Sequence, residues 1–111
     1  MAWSLPEGSE PLKFLRPGHS PDLLRKLRRG HWRIEDELDL HGMSRVQAER
    51  ALDDFLSGVT ARCVRIVHGK GTGVLRETLR AALPARAEVL AFVEAPPAQG
   101  GAGAVLVLLK S

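Results

Sequence analysis

Two short apolar runs, Leu38-Asp39-Leu40-His41 and Val64-Arg65-Ile66-Val67-His68, stand on either side of a stretch with helical periodicity, and that order limits the fold more than any other feature. Ser44 followed by Gln47 has capping-box spacing, and Val46, Ala48, Ala51, Leu52, Phe55 and Leu56 recur on one helix face before Gly58 ends it. Strand, helix, strand implies a crossover, so the two strands are expected to run parallel with a right-handed connection. Both runs end in His-Gly, which sets a histidine where each strand gives way to a loop. In open α/β sheets such places carry function.

The first strand is expected over Glu37 to His41, with Leu38 and Leu40 facing the core and Glu37, Asp39 and His41 facing the other way. The second spans Arg62 to Val67. A further helix opens at Thr72 or Gly73 and runs to about Leu83, where Pro84 prevents continuation. Two more strands follow, Glu88 to Val93 and Ala104 to Leu109, joined by a mobile loop through Pro96, Pro97 and Gly101. Val105 to Leu109 is apolar without alternation, as in a strand covered on both faces, and two helices cannot cover both faces of such a sheet. The N-terminal arm, with Trp3, Phe14 and Trp32, is expected to pack on the second face. The class is α/β, a two-layer α+β sandwich.

Residues before this unit read differently. Pro6, Gly8, Pro11 and Pro17 make the first 19 residues an irregular arm. Ser20 then reads as an N-cap, Pro21 as the first helical residue and Gly30 as the stop of a short helix whose apolar stripe is Leu23, Leu24 and Leu27. Its other side carries Arg25, Lys26, Arg28 and Arg29. Between Lys13 and Arg33 seven Lys/Arg face one acid, Asp22, in a chain of 111 residues with formal charge +3. Such a segment can meet an anionic partner, though charge runs commonly just solvate a helix. The length allows one core and leaves little room for a second domain.

Cys63 has no partner for an internal disulfide and lies in an expected strand, so it reads as a buried thiol in a reducing compartment. No apolar stretch is long enough to span a bilayer, and the N-terminus lacks the order of a secretory signal. The expectation is a cytoplasmic protein, with a monomer as the simplest oligomeric state.

The chemistry lies in the two His-Gly turns. In Val67-His68-Gly69-Lys70-Gly71-Thr72-Gly73 a strand, three glycines and a helix follow one another, an arrangement able to cradle phosphate with backbone amides. Nucleotide-cofactor fingerprints fail. Counted from Gly69 the third glycine of the dinucleotide pattern falls on Val74, counted from Gly71 it falls on Arg76, and no Walker-type Gly-Lys-Ser/Thr exists. What remains is a phosphate-sized site with Lys70 as cation and a histidine beside it, better suited to a nucleic-acid backbone than to a soluble cofactor. The plainer alternative is that the glycines serve only a tight turn. Alternation puts His68 on the core side with Val64 and Ile66, so the loop has to turn it toward His41.

Leu38 to Gly42, together with His68 to Gly71 and Thr72-Gly73, resembles the Smr domain, named for small MutS-related proteins. Phe14-Leu15-Arg16-Pro17-Gly18 and Leu24 to Gly30 are similar to the lead-in of stand-alone bacterial members. The resemblance implies a β-α-β-α-β-β fold with a mixed four-stranded sheet, similar to the C-terminal domain of translation initiation factor three. Residues 1–36 then form an arm and short basic helix, and residues 37–111 the domain. No recruiting N-terminal extension or MutS-like ATPase portion is expected. The family implies endonuclease activity, in some branches on branched or nicked DNA and in others on messenger RNA at stalled or collided ribosomes. Its Asp-x-His falls on Asp39 and His41, and its His-Gly-Lys-Gly on His68, Gly69, Lys70 and Gly71.

Cleaving a phosphodiester needs a base, a charge stabiliser and a proton for the leaving oxygen, and histidine titrates in the right range. The expected assignment is His41 as general base, oriented by Asp39. Lys70 and the amides around Gly69 to Gly71 stabilise the transition state, and His68 acts as acid or phosphate ligand. Thr72, Gly73 and the four basic residues of the short helix add contacts to the nucleic acid. No cofactor is required by this scheme, while a divalent metal such as magnesium on Asp39, His41 and His68 stays open as an alternative. A noncatalytic nucleic-acid-binding module and a protein-interaction domain are the rivals from other classes, and no aromatic platform for reading bases adjoins the site.

Overall fold

The computed structural model describes residues 10–110, so the expectations for Trp3, Pro6 and Gly8 lie outside the described residues. Its elements in chain order are β1 (Lys13–Leu15), α1 (Asp22–Arg28), β2 (Asp36–Asp39), α2 (Arg45–Gly58), β3 (Cys63–Val67), α3 (Val74–Ala82), β4 (Val89–Glu94) and β5 (Ala104–Leu109). They build one mixed sheet in the order β1-β4-β5-β3-β2. The β2 and β3 pair is parallel, as a strand-helix-strand unit demands, and every other pairing is antiparallel.

The sheet has five strands rather than four, because Lys13–Leu15 of the arm pairs antiparallel with β4 and extends its edge. Alternation along this added strand divides the arm's apolar residues between the two faces. Leu12 and Phe14 join the core under α2 and α3, whereas Leu15 joins the opposite cluster. Phe14 therefore does not cover the second face as expected. It stacks on Phe92 with ring centroids 5.3 Å apart, and the Arg16 guanidinium sits 5.0 Å over its ring. Arg16 also donates to the carbonyls of Pro84, Arg86 and Val89, at 3.0, 2.8 and 3.0 Å, and pins the arm to the α3–β4 turn.

The second face is covered by α1, whose Leu27 is fully buried, and by Leu23, Leu24, Trp32 and Ile34 packed against Cys63, Leu106 and Leu108. This explains the unbroken apolar run of β5, which is buried at every position. Burial, and then the charge of Glu35, push the Cys63 thiol up to about 11, so it stays protonated and inert.

The α2 helix starts as its sequence dictates. Ser44 Oγ accepts from the Gln47 amide at 3.2 Å and Gln47 Oε1 accepts from the Ser44 amide at 2.9 Å. Gly58 is its last residue rather than its stop, and Val59 leaves in extended geometry. The connection expected to be a mobile loop folds instead into two 3₁₀ turns, Pro97–Gln99 and Gly101–Gly103. There the Pro96 carbonyl accepts from the amides of Gln99 and Gly101.

Candidate nucleic-acid site

The parallel pair delivers both histidine turns to the same end of the sheet. β2 stops at Asp39, two residues short of the expected end, because the Asp39 side chain captures the backbone that would have continued it. Its Oδ1 accepts from the His41 amide at 3.0 Å, and Gly42 then turns the chain with a φ of 82°. The same oxygen lies 2.6 Å from His41 Nδ1. An ionised carboxylate only accepts, so Nδ1 carries the hydrogen and Nε2 is left as the basic nitrogen of the neutral ring. The hydrogen bonds from the His41 ring and amide hold the Asp39 carboxyl below its ordinary range. Both side chains are exposed.

His68 is the opposite case. It continues the core-facing parity of Val64 and Ile66 and is 6% exposed. Burial lowers its pKa, a backbone hydrogen bond with Gly69 acts the other way, and the charge of Arg76 lowers it further. The ring is neutral at pH 7. The turn that follows brings the two histidine segments together: Gly69 has a φ of 80°, and a Cβ on it would stand 3.4 Å from His41 Cβ. His41, Gly42, His68, Gly69, Lys70, Gly71, Thr72, Gly73 and Arg76 line one hollow of about 360 Å³. On the far side of the glycine turn, His68 to Gly73 and Arg76 line a smaller hollow of about 210 Å³ with Ala102.

Two contributors were not found in the sequence. Arg76 lies in the first turn of α3 and adds a guanidinium to Lys70 as a second cation in the hollow, its Nε 3.7 Å from Glu77. Its signal was its place three residues after Gly73, the helix cap. Gly103 supports the turn from the β4–β5 connection, its carbonyl accepting from the amides of His68 at 2.9 Å and Gly69 at 3.0 Å. A Cβ on Gly103 would stand 3.4 Å from Lys70 Cγ. No local sequence pattern announces that contact, since it joins segments over thirty residues apart.

The basic helix stands apart. Arg25, Arg28 and Arg29 line, with Lys13, Leu24 and Val93, a shallow hollow of about 400 Å³ that shares no residue with the histidine hollow. Asp22 pairs with Arg25 and, at 3.6 Å, with Lys26, so part of this charge is compensated. Among the described residues, no three His, Cys, Asp or Glu side chains gather closely enough to hold a metal ion, Asp39, His41 and His68 included. That set does not form a protein cage for magnesium. Nor is any described helix long and apolar enough to cross a membrane.

The chain is similar to proteins already characterised. It is 35% identical over 107 residues to the ribosome rescue factor SmrB of Serratia proteamaculans, covering 94% of this chain and 61% of the relative. It is 38% identical over 102 residues to the protein of that name in Pectobacterium carotovorum subsp. carotovorum, covering 89% and 57%. The chain thus spans about three-fifths of the length of these relatives. Its fold matches the crystal structure of YdaL, a stand-alone small MutS-related protein from Escherichia coli. That match has a TM-score of 0.75 and 28% identity, covering 94% of this chain and 86% of that one. The Smr domain of Thermus thermophilus MutS2 matches with a TM-score of 0.60 and 36% identity over 69% of this chain and all of that one. A sequence model of the Smr domain covers residues 38–110, most of the chain and both histidine turns, and on that ground the chain belongs to the Smr domain family.

Proposed function

We propose that the protein is an endonuclease that cleaves phosphodiester bonds in RNA, with the hollow between the two histidine turns as its catalytic site. The observation that carries this reading is His41, its Nδ1 2.6 Å from Asp39 Oδ1, on the wall of a hollow that also holds two cations and a buried histidine.

In this reading His41 Nε2 takes the proton from the 2′-hydroxyl next to the scissile phosphate. The 2′-oxygen attacks phosphorus, and Asp39 stabilises the imidazolium that forms. Charge grows on the non-bridging oxygens, where Lys70, Arg76 and the amides of the Gly69–Gly71 turn neutralise it. The bond to the 5′-oxygen breaks, leaving a 2′,3′-cyclic phosphate. His68, whose burial disfavours the charged form, keeps its one N–H on the Gly69 backbone and steadies the glycine turn rather than acting as acid, and water protonates the departing 5′-oxygen. Thr72 and Gly73 at the head of α3 complete the cradle, and the basic face of α1 adds affinity along the strand.

RNA is preferred over DNA as substrate because a neighbouring 2′-hydroxyl supplies the nucleophile without further machinery. The names of the curated relatives support the ribosome as its setting, and with it a cytoplasmic location; messenger RNA there is the RNA this reading assigns to the site. The test compares the protein with an Asp39→Ala, His41→Ala variant on matched RNA and nicked DNA, with and without EDTA. Cleavage of RNA in EDTA by the wild type alone, with cyclic phosphate and 5′-hydroxyl ends, is the expected result. DNA cleavage abolished by EDTA overturns it. Equal inactivity of both proteins with salt-sensitive binding retained leaves a binding module.

A further inference from the structure

Beside the histidine hollow lies a larger one. It runs between α2 and α3, holds about 650 Å³, and shares Thr72, Gly73 and Val74 with the catalytic hollow as a common wall. Beyond that wall its lining is Arg45, Glu49 and Glu77 together with Thr78, Ala81 and Ala82, whose small side chains leave a slot between the two helices. Resting on the nuclease reading above, we propose that this slot is a subsite for the unpaired base of the nucleotide adjoining the scissile phosphate.

Charge and shape both select a base over another phosphate. The slot's rim carries Glu49 and Glu77 against Arg45, a balance that repels a phosphodiester. A base edge, in contrast, pairs donors with acceptors. Arg45 and Glu49, with Nε and Oε1 4.0 Å apart, offer one of each at the α2 side. Glu77 is already engaged by Arg80 at 3.0 Å, and Thr78 Oγ1 donates to the Val74 carbonyl at 2.8 Å, so the α3 side is largely satisfied and presents apolar surface. Val74 is 51% exposed, and Val46, next to Arg45, is 55% exposed; they are the exposed large hydrophobics of the described residues, and a flat ring lying in the slot covers Val74.

The continuity of the two hollows fixes which base enters. A phosphate held by Lys70, Arg76 and the glycine turn has its own sugar at the Thr72–Val74 wall, and the base on that sugar points across the wall into the slot. A paired and stacked base cannot make this excursion, so the substrate is single-stranded at that position. With aliphatic walls in place of an aromatic platform, the subsite holds the base by contact with one edge and one face, and Glu49 favours bases carrying an exocyclic amino group.

The experiment walks one abasic residue along a labelled RNA, one position at a time around the cleavage point, and measures the cleavage rate by the wild type and by Ala81→Trp. Ala81 is exposed on α3, so a large side chain there fills the slot without entering the core; Ala85→Trp, at an exposed position outside the slot, is the control, and circular dichroism verifies the fold. One adjoining position is expected to lose about tenfold or more in the wild type when its base is removed, the size of one hydrogen bond to a charged group. Ala81→Trp is expected to cleave intact RNA no faster than the abasic one, and Ala85→Trp to behave as wild type. A flat abasic profile from an active wild type overturns the subsite and leaves the nuclease reading standing. A wild type that neither cleaves nor binds RNA overturns both. Concentration-dependent dimers of the wild type, lost in Ala81→Trp, give the slot to a second copy and overturn the base.

Discussion

A single oxygen, Asp39 Oδ1, faces both the amide and the ring Nδ1 of His41, at 3.0 and 2.6 Å, so one carboxylate sets the backbone turn and the ring together. Asp39→Asn keeps the shape and loses the charge that stabilises the imidazolium. It is expected to slow RNA cleavage by about 10²-fold, and His41→Ala by about 10²–10⁴-fold, in single-turnover assays. RNA affinity in both variants should stay within about threefold of wild type, an estimate resting on phosphate contacts elsewhere dominating affinity.

His68 makes stability depend on pH. Burial, aided by Arg76, sets its folded pKa below the unfolded value of 6.5, so the unfolded chain binds the proton first. Stability is therefore highest above pH 6.5, falls as pH drops from 6.5 toward the folded pKa, and levels off below it. Thermal melts from pH 8 to pH 5 should show a steeper loss for the wild type than for His68→Gln, and parallel curves would refute this.

Gly69→Ala forces a side chain onto a φ of 80° with its Cβ 3.4 Å from His41 Cβ. A destabilisation of about 1 kcal/mol is expected in urea titrations. Cleavage should fall further than that loss explains, because the added methyl group pushes on the His41 turn. Gly103→Ala, which meets Lys70 Cγ and the Gly69 backbone, is expected to slow cleavage although Gly103 has no side chain in the hollow.

Arg16→Leu removes the guanidinium that serves three carbonyls of the α3–β4 region and caps Phe14. About 1–3 kcal/mol of unfolding free energy should be lost, and Arg16→Lys should recover little, since an ammonium lacks the planar fork.

Arg28 and Arg29 stand in a hollow separate from the histidines. Arg28→Ala with Arg29→Ala is expected to weaken RNA binding and lower the slope of log affinity against log salt by about two, one per lost phosphate contact, with single-turnover cleavage at saturation unchanged.

The order of strands and helices from Glu37 to Leu109 was legible because most local devices agree with the fold. Ser44 and Gln47 cap where their spacing says, and Pro84 follows α3 as expected. Asp39 and His41 were legible as neighbours, although the turn made by the Asp39 carboxylate, and not strand alternation, joins them. The arm was not: Lys13-Phe14-Leu15 is too short to reveal period two, and only pairing with β4 makes it a strand. Phe14 lies on the face opposite to the expected one for the same reason, since a chain without a known register has no known parity. Trp32 did go to the second face. Arg76 and Gly103 escaped because their roles depend on distant segments, α3 against the glycine turn and the β4–β5 connection against His68.

With β1 closing one side, the sheet is left with edges at β1 and β2. β1 is only three residues long, and β2 reads Asp36-Glu37-Leu38-Asp39, three carboxylates in four residues. Another strand docking along β2 would bring its own backbone against that row of charge, which discourages edge-to-edge association. Asp39 belongs to this row as well as to the site. Neutralising Asp36, Glu37 and Asp39 together would therefore leave one open ribbon of amides and carbonyls without its guard of charge, prone to self-association along an edge whose end reaches the site.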